Sequence, residues 1–303
     1  MTNIMAVIEQ IIMLFGITAV GCYMRRKSVM TDPVIKGVNA ILLRVAWPCM
    51  ILMTTQKERS DDVTASFLLI LLITLIVLAA GCLITYSLSR KTAADRTRAI
   101  FTVLSVMPNA GFIGLPIIKA IYGDTGVFFL SAFLVGFNLV TWTLCVFLFT
   151  GVSIRSLKAA LNPGFISAVA GTALFLLRVS LPTPLLSMVT QLGGLTTPLA
   201  MLLLGARLSQ IPPKTLLDRK LWLGAGIKLL VMPLITLAVM RLMRVDETLT
   251  GITVLCMAMP SPAVAQLFAE KYDGDVPFAA AGISLTTLMC IVTIPLVLLA
   301  TAV

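Results

Sequence analysis

Long apolar stretches alternate with short polar connections along the chain, ten times over. The apolar runs cover residues 4–24, 34–53, 67–88, 100–121, 128–151, 165–179, 185–208, 221–243, 249–269 and 278–303. Most approach the ~20 residues that a helix needs to cross a hydrocarbon core. Apolar and polar residues do not alternate with a period of two inside them, so the strands of a membrane β-barrel are not predicted. The pattern predicts an all-α integral membrane protein of ten transmembrane helices.

Composition sharpens this picture. The 303 residues are 59% hydrophobic and only 12% charged, against about 25% charged in an ordinary soluble domain. So few charges cannot cover a water-facing surface of this size. Their placement also predicts an orientation. One set of alternate connections holds fifteen Lys and Arg residues, among them Arg25–Lys27, Arg155 and Lys158, and the opposite set holds six. The richer side belongs in the cytoplasm, which leaves both termini outside. The net charge of +10 is therefore a loop feature and does not point to nucleic acid. Arg25–Lys27 follow the first run and no basic segment precedes it, so that run reads as a retained helix, not a cleaved signal.

Several chemistries are excluded. With no histidine, a Ser/His/Asp triad, an HExxH zinc site and a histidine proton relay are all impossible. No phosphate-binding GxxxxGK[ST] loop is present. The six cysteines stand singly in apolar runs and read as buried thiols. No aspartate or glutamate lies deep in a run, which leaves an intramembrane aspartyl protease or a carboxylate relay without a carrier. No cofactor, metal site or enzymatic activity is expected.

The two halves resemble each other at a shift of 150–152 positions. Gly21 pairs with Gly171, Pro48 with Pro198, and Thr102-Val103-Leu104 with Thr253-Val254-Leu255. Met107-Pro108 pairs with Met259-Pro260, Tyr122 with Tyr272, and Asp124 with Asp275. This predicts a duplication, residues 1–151 and 152–303, with five spans in each repeat. An odd number inverts the second repeat relative to the first, the arrangement typical of secondary transporters, whose sites lie on interrupted helices near the midplane.

The fourth and ninth runs carry such interruptions. Residues 108–116 contain Pro108, Asn109, Gly111, Gly114 and Pro116, and the counterpart reads Met259-Pro260-Ser261-Pro262. Proline removes a backbone donor, and freed backbone groups at membrane depth need protein or a wet cavity beside them. Asn109 and Ser261 are candidate N-caps for the half-helices that follow. Two such N-termini aimed at the midplane would favour an anion. Asn138, mid-span, and Gln266, one turn past the second break, are candidate site residues. Lys228 either meets an anionic substrate or snorkels to the interface, and Arg44 poses the same choice, with a structural pair as a further role.

The segments Met107-Pro108-Asn109 through Gly123, Pro198-Leu199-Ala200-Met201, Lys228 to Leu234, and Met259-Pro260 through Tyr272 resemble, in order, the helix motifs of the auxin efflux carrier family. That family includes plant PIN carriers and bacterial malate or malonate permeases. The resemblance implies the ten-helix fold of bile-acid:sodium symporters, with helices 4 and 9 broken and crossing. Helices 1, 2, 6 and 7 would form a scaffold, and helices 3–5 and 8–10 a mobile transport domain. It also implies elevator-type alternating access, a homodimer through the scaffold and a bacterial inner-membrane location. The site it implies comprises Pro108, Asn109, Pro260, Ser261 and Asn138. Gly111, Lys228 and Gln266 join these from the reading of the residues. Where plant members carry glutamine and glycine at the second break, this chain has Ser261-Pro262, which argues against auxin itself. The function expected is permeation of a small organic anion, a carboxylate. A sodium-coupled organic-anion symporter is the alternative, and a non-transporting membrane receptor is the alternative of another class.

Overall fold

The computed structural model describes residues 4–56, 61–91, 95–151, 163–209 and 218–301. Lys57, Arg59, Arg155, Lys158 and Lys214, which weighed in the expected orientation, lie outside them. The described residues form fifteen α-helices and no strand. In chain order these are α1 (Ile4–Arg26), α2 (Asp32–Ile41), α3 (Trp47–Thr54), α4 (Asp61–Leu88), α5 (Asp95–Val106), α6 (Leu115–Val140), α7 (Val146–Thr150) and α8 (Pro163–Leu176). Then come α9 (Thr183–Gly194), α10 (Thr196–Leu208), α11 (Arg219–Gly226), α12 (Met232–Leu242), α13 (Glu247–Ala258), α14 (Val264–Lys271) and α15 (Val276–Thr301). Single π-helical turns join α2 to α3, α6 to α7 and α11 to α12. Two of these turns lead directly into helices with proline in the first turn, Pro48 in α3 and Pro233 in α12.

Six helical stretches are long and apolar enough to cross a membrane: Asp32–Thr54, Val63–Leu88, Thr97–Thr150, Thr183–Leu208, Arg219–Leu242 and Val276–Thr301. The third carries two of the predicted runs, because its helical path turns a corner inside α6 at Gly123 (φ 60, ψ −149). A side chain rarely tolerates that conformation, so glycine supplies the corner. The outward faces stay apolar. Leu68, Leu72 and Ile76 of α4, Leu234 and Leu242 of α12, and Val292 and Leu299 of α15 are all exposed. Water would not tolerate apolar faces of this extent, and lipid does. The chain is a multi-pass membrane protein.

Aspartates start several helices. Asp218 accepts from the Lys220 N–H at 2.8 Å, Asp246 from Thr248 at 2.9 Å, and Asp275 from Phe278 at 2.9 Å. Each satisfies an N–H that a helix start leaves without a partner.

Packing joins the N-terminal and C-terminal halves at several seams. At one, α1 and α10 approach until their backbones touch: a Cβ on Gly21 would collide with the Leu202 carbonyl, and one on Gly205 with that of Thr18. The Cys22 thiol donates to the Gly205 carbonyl across this seam at 2.9 Å. At another, Gly171 of α8 packs on Thr55, and Gly193 of α9 on the Met50 backbone. Small residues allow such approach between membrane helices, where dispersion and hydrogen bonding replace the hydrophobic drive. An aromatic cluster of Phe67, Phe128, Phe129 and Phe175 ties α4, α6 and α8 together, with ring centroids 4.7–5.6 Å apart.

The two predicted interruptions are real breaks, at Met107–Asn109 and Met259–Ala263, and they lie against each other. Pro108 cannot donate to the Leu104 carbonyl four residues earlier. The Ser261 hydroxyl donates to that carbonyl instead, at 2.6 Å. The Asn109 N–H leaves its own helix and donates to the Pro260 carbonyl at 2.7 Å. In the second break the Ser261 N–H turns to the Thr286 hydroxyl at 3.1 Å. That removes the helical donor for Met257, and its carbonyl accepts from Lys228 Nζ at 2.6 Å. Each break thus supplies a donor or acceptor that the other lacks.

Two variants test this packing. Gly205→Ala forces a methyl onto the Thr18 carbonyl and should cost about 1–3 kcal/mol, lowering the melting temperature in detergent. Gly16→Ala, on the facing helix α1 with open space around it, should leave it unchanged or higher. Ser261→Ala strips the donor from the Leu104 carbonyl and should cost about 1–3 kcal/mol. An unchanged melting temperature for Ser261→Ala would show that the bond between the breaks carries no stability.

Candidate functional site

The main cavity opens beside the junction of the two breaks, with about 1000 Å³ of empty space including its mouth. Pro108 and Asn109 form one wall, and Pro262, Ala263 and Val264 another. The C-terminal part of α6 contributes Phe137 and Asn138, and the π-helical turn after it Thr141 and Trp142. Asn39 of α2, Trp47 of α3, and Met201, Leu204 and Arg207 of α10 line it from the other direction. Ser284 of α15 and Gln266 of α14 complete the polar lining. The remaining wall is largely aliphatic and aromatic, as in most small-molecule sites.

Some polar side chains here are committed to the protein and others are not. Asn138 is fully buried; its Nδ2 donates to the Leu134 carbonyl at 2.7 Å, and its Oδ1 accepts from the Trp142 indole at 3.3 Å. Ser284 donates to the Ala280 carbonyl at 2.7 Å within its own helix. Gln266 donates through Nε2 to Glu270 at 3.0 Å. Among the described residues, by contrast, the Asn109 side chain makes no hydrogen bond, though its backbone anchors the break. The buried Thr141 hydroxyl also has no partner. A buried polar atom without a partner costs about 1–3 kcal/mol, and a ligand in the cavity is the natural way to recover it.

The structure sorts the predicted site residues into two groups. Pro108, Asn109, Asn138 and Gln266 line the cavity. Gly111, Lys228, Pro260 and Ser261 do not; they build the junction behind it. Gly111 receives the Trp47 ring, whose atoms stand 2.6 Å from where a Cβ would be. Trp47 in turn packs edge-on to Phe112 at 4.5 Å between centroids. Pro260 and Ser261 contribute the carbonyl and hydroxyl described above.

Three expectations need correction. Ser261 does not cap the second half-helix: α14 starts at Val264 after Ala263, and the Ser261 hydroxyl goes to Leu104 across the junction. Asn109 stands at the start of the helical turn that follows it, but its side chain makes no capping bond. Lys228 neither faces the cavity nor snorkels. It is completely buried, and its ammonium is held by the carbonyl of Met257 near the C-terminal end of α13, where the helix dipole favours a cation. Arg44, on the π-helical turn after α2, is exposed.

Sequence reasoning missed Arg207, Thr141, Trp142, Trp47 and Asn39. Arg207 counts as a loop charge by composition, yet it sits in the last turn of α10. It follows Leu203 and Leu204 by the three and four residues that share a helix face, and Trp142 follows Asn138 by four. That spacing is the signal that was present. Asn39 is a lone amide inside an apolar run and carries a similar one.

Comparison with known proteins agrees with this architecture. A family model described as "Membrane transport protein" matches residues 6–157 and 152–298. An uncharacterized transporter of Methanothermobacter thermautotrophicus is 24% identical, over 95% of this chain and 96% of its own. An uncharacterized transporter of Methanocaldococcus jannaschii is 23% identical over the same shares. With the matches running nearly end to end, the chain belongs to the membrane transport protein family, the auxin efflux carrier group that its broken-helix motifs resemble, and it is a membrane transporter.

Proposed function

We propose that the protein is a secondary active or facilitative carrier of a small organic anion, a carboxylate, across the bacterial inner membrane. The observation that carries this reading is the cavity at the meeting point of two broken helices, lined by Asn109, whose side-chain amide is uncommitted, and by Thr141, whose buried hydroxyl has no partner. Two half-helices begin there, and the N–H groups of a helix start favour negative charge. Among the described residues no carboxylate lines the cavity to oppose it.

The proposal extends to the moving parts. The seams between α1 and α10 and between α3 and α8–α9 support a scaffold built from the first, second, sixth and seventh of ten spans. The remaining spans carry both breaks and would slide as a unit, exposing the cavity to either side in turn. The matched glycines Gly21 and Gly171, both at close seams, and the matched breaks support two inverted repeats, 1–151 and 152–303. A homodimer through the scaffold, with both termini outside, completes the arrangement.

Counterflow in proteoliposomes tests the reading. Vesicles loaded with unlabelled malate, malonate or indole-acetate should take up the labelled partner saturably, with and without sodium. Asn109→Ala should lose this exchange while still inserting into the membrane, since the cavity loses its free amide. Full turnover in Asn109→Ala sinks the assignment of the site, and exchange of neutral solutes alone sinks the anion. Exchange that requires sodium favours a symporter.

A further inference from the structure

Among the described residues, Arg207 is the one charged side chain that lines the cavity. It is half-buried in the last turn of α10. Among the described residues its guanidinium makes no hydrogen bond and no ion pair within 4 Å. The carboxylate of Glu270 on α14 acts on it electrostatically. Glu270 is itself held by Gln266 Nε2 at 3.0 Å, and Gln266 lines the same cavity. An amide therefore stands between the cavity and that carboxylate. The buried Lys228 is already spent, with its Nζ on the Met257 carbonyl.

These placements decide which group discriminates charge. Helix N-termini carry only partial charges, and the Asn109 and Thr141 groups bind neutral and anionic partners alike. A guanidinium presents a planar fork of donors that matches a carboxylate and is not deprotonated. Leaving it half-buried without a direct partner is costly, and an anion in the cavity removes that cost. We infer that Arg207 is the specificity-determining residue that reads the substrate's carboxylate, and that Glu270, restrained by Gln266, competes with the substrate for it. This inference rests on the anion-carrier reading and assigns the charge recognition within it to α10 and not to the broken helices.

The test compares acids with their uncharged amides. Wild-type proteoliposomes exchanging labelled malonate, malate or indole-acetate are challenged with the unlabelled acid or its amide, and half-inhibiting concentrations are measured. Wild type should prefer acid over amide by about 10-fold or more, the worth of one hydrogen bond to a charged group. Arg207→Gln should bring that ratio near one by weakening the acid and sparing the amide, and Arg207→Lys should keep part of it. Glu270→Gln should tighten the acid several-fold, leave the amide alone, and have no effect in the Arg207→Gln background. If Arg207→Gln weakens acid and amide equally, Arg207 is only structural; if it preserves the acid preference, charge is read elsewhere. Either result overturns the inference and leaves the anion carrier standing. A wild type that exchanges amides and refuses all the acids overturns both.

Discussion

A backbone carbonyl at membrane depth must find a donor, and the junction of the two breaks follows from that requirement. Water is not available to accept or donate in the hydrocarbon core. Pro108 cancels the donor for Leu104, and the hydroxyl of Ser261 replaces it. The N–H of Asn109 then lacks its helical acceptor and uses the Pro260 carbonyl. Neither break could exist alone without an orphaned group. Contact between them is therefore a consequence of backbone bookkeeping, and the cavity forms where two interrupted helices cannot fill the space beside each other.

The same requirement separates two cations that look alike on paper. Lys228 is consumed by the Met257 carbonyl, which loses its helical donor because the Ser261 N–H turns to Thr286. A compact ammonium with three donors suits one stray carbonyl near a helix C-terminus. Among the described residues Arg207 reaches no such partner, and it lines the cavity. One basic residue holds the junction together and the other is available to a ligand. The difference lies in what each backbone neighbourhood leaves unsatisfied.

Around this junction, rigidity comes from small residues and aromatic rings. Gly21 and Gly205 let α1 and α10 close to backbone contact, so that seam has little room to slide. Gly111 lets Trp47 rest on the first break, which connects α3 with the elements that carry the site. Apolar faces on α4, α12 and α15 meet lipid and contribute no specificity.

Much of the fold was legible in the sequence, because its signals are local. Apolar length marks the spans, and Pro108 and Pro260 mark the breaks; each rests on a handful of neighbouring residues. The site was legible only in part. Pro108, Asn109, Asn138 and Gln266 announce themselves as polar or helix-breaking residues in apolar surroundings. Ser261 and Lys228 do so as well, but their partners Leu104 and Met257 lie 157 and 29 residues away, beyond the reach of any spacing rule. Arg207 lies at the end of a run, where charge statistics assign it to a loop. By itself the sequence determined a broken-helix membrane protein with polar groups at the breaks, since backbone chemistry and hydropathy act at short range. Only the tertiary structure decided which of those groups are spent and which remain free, since satisfaction of a buried polar atom depends on what the rest of the chain brings within about 3 Å of it.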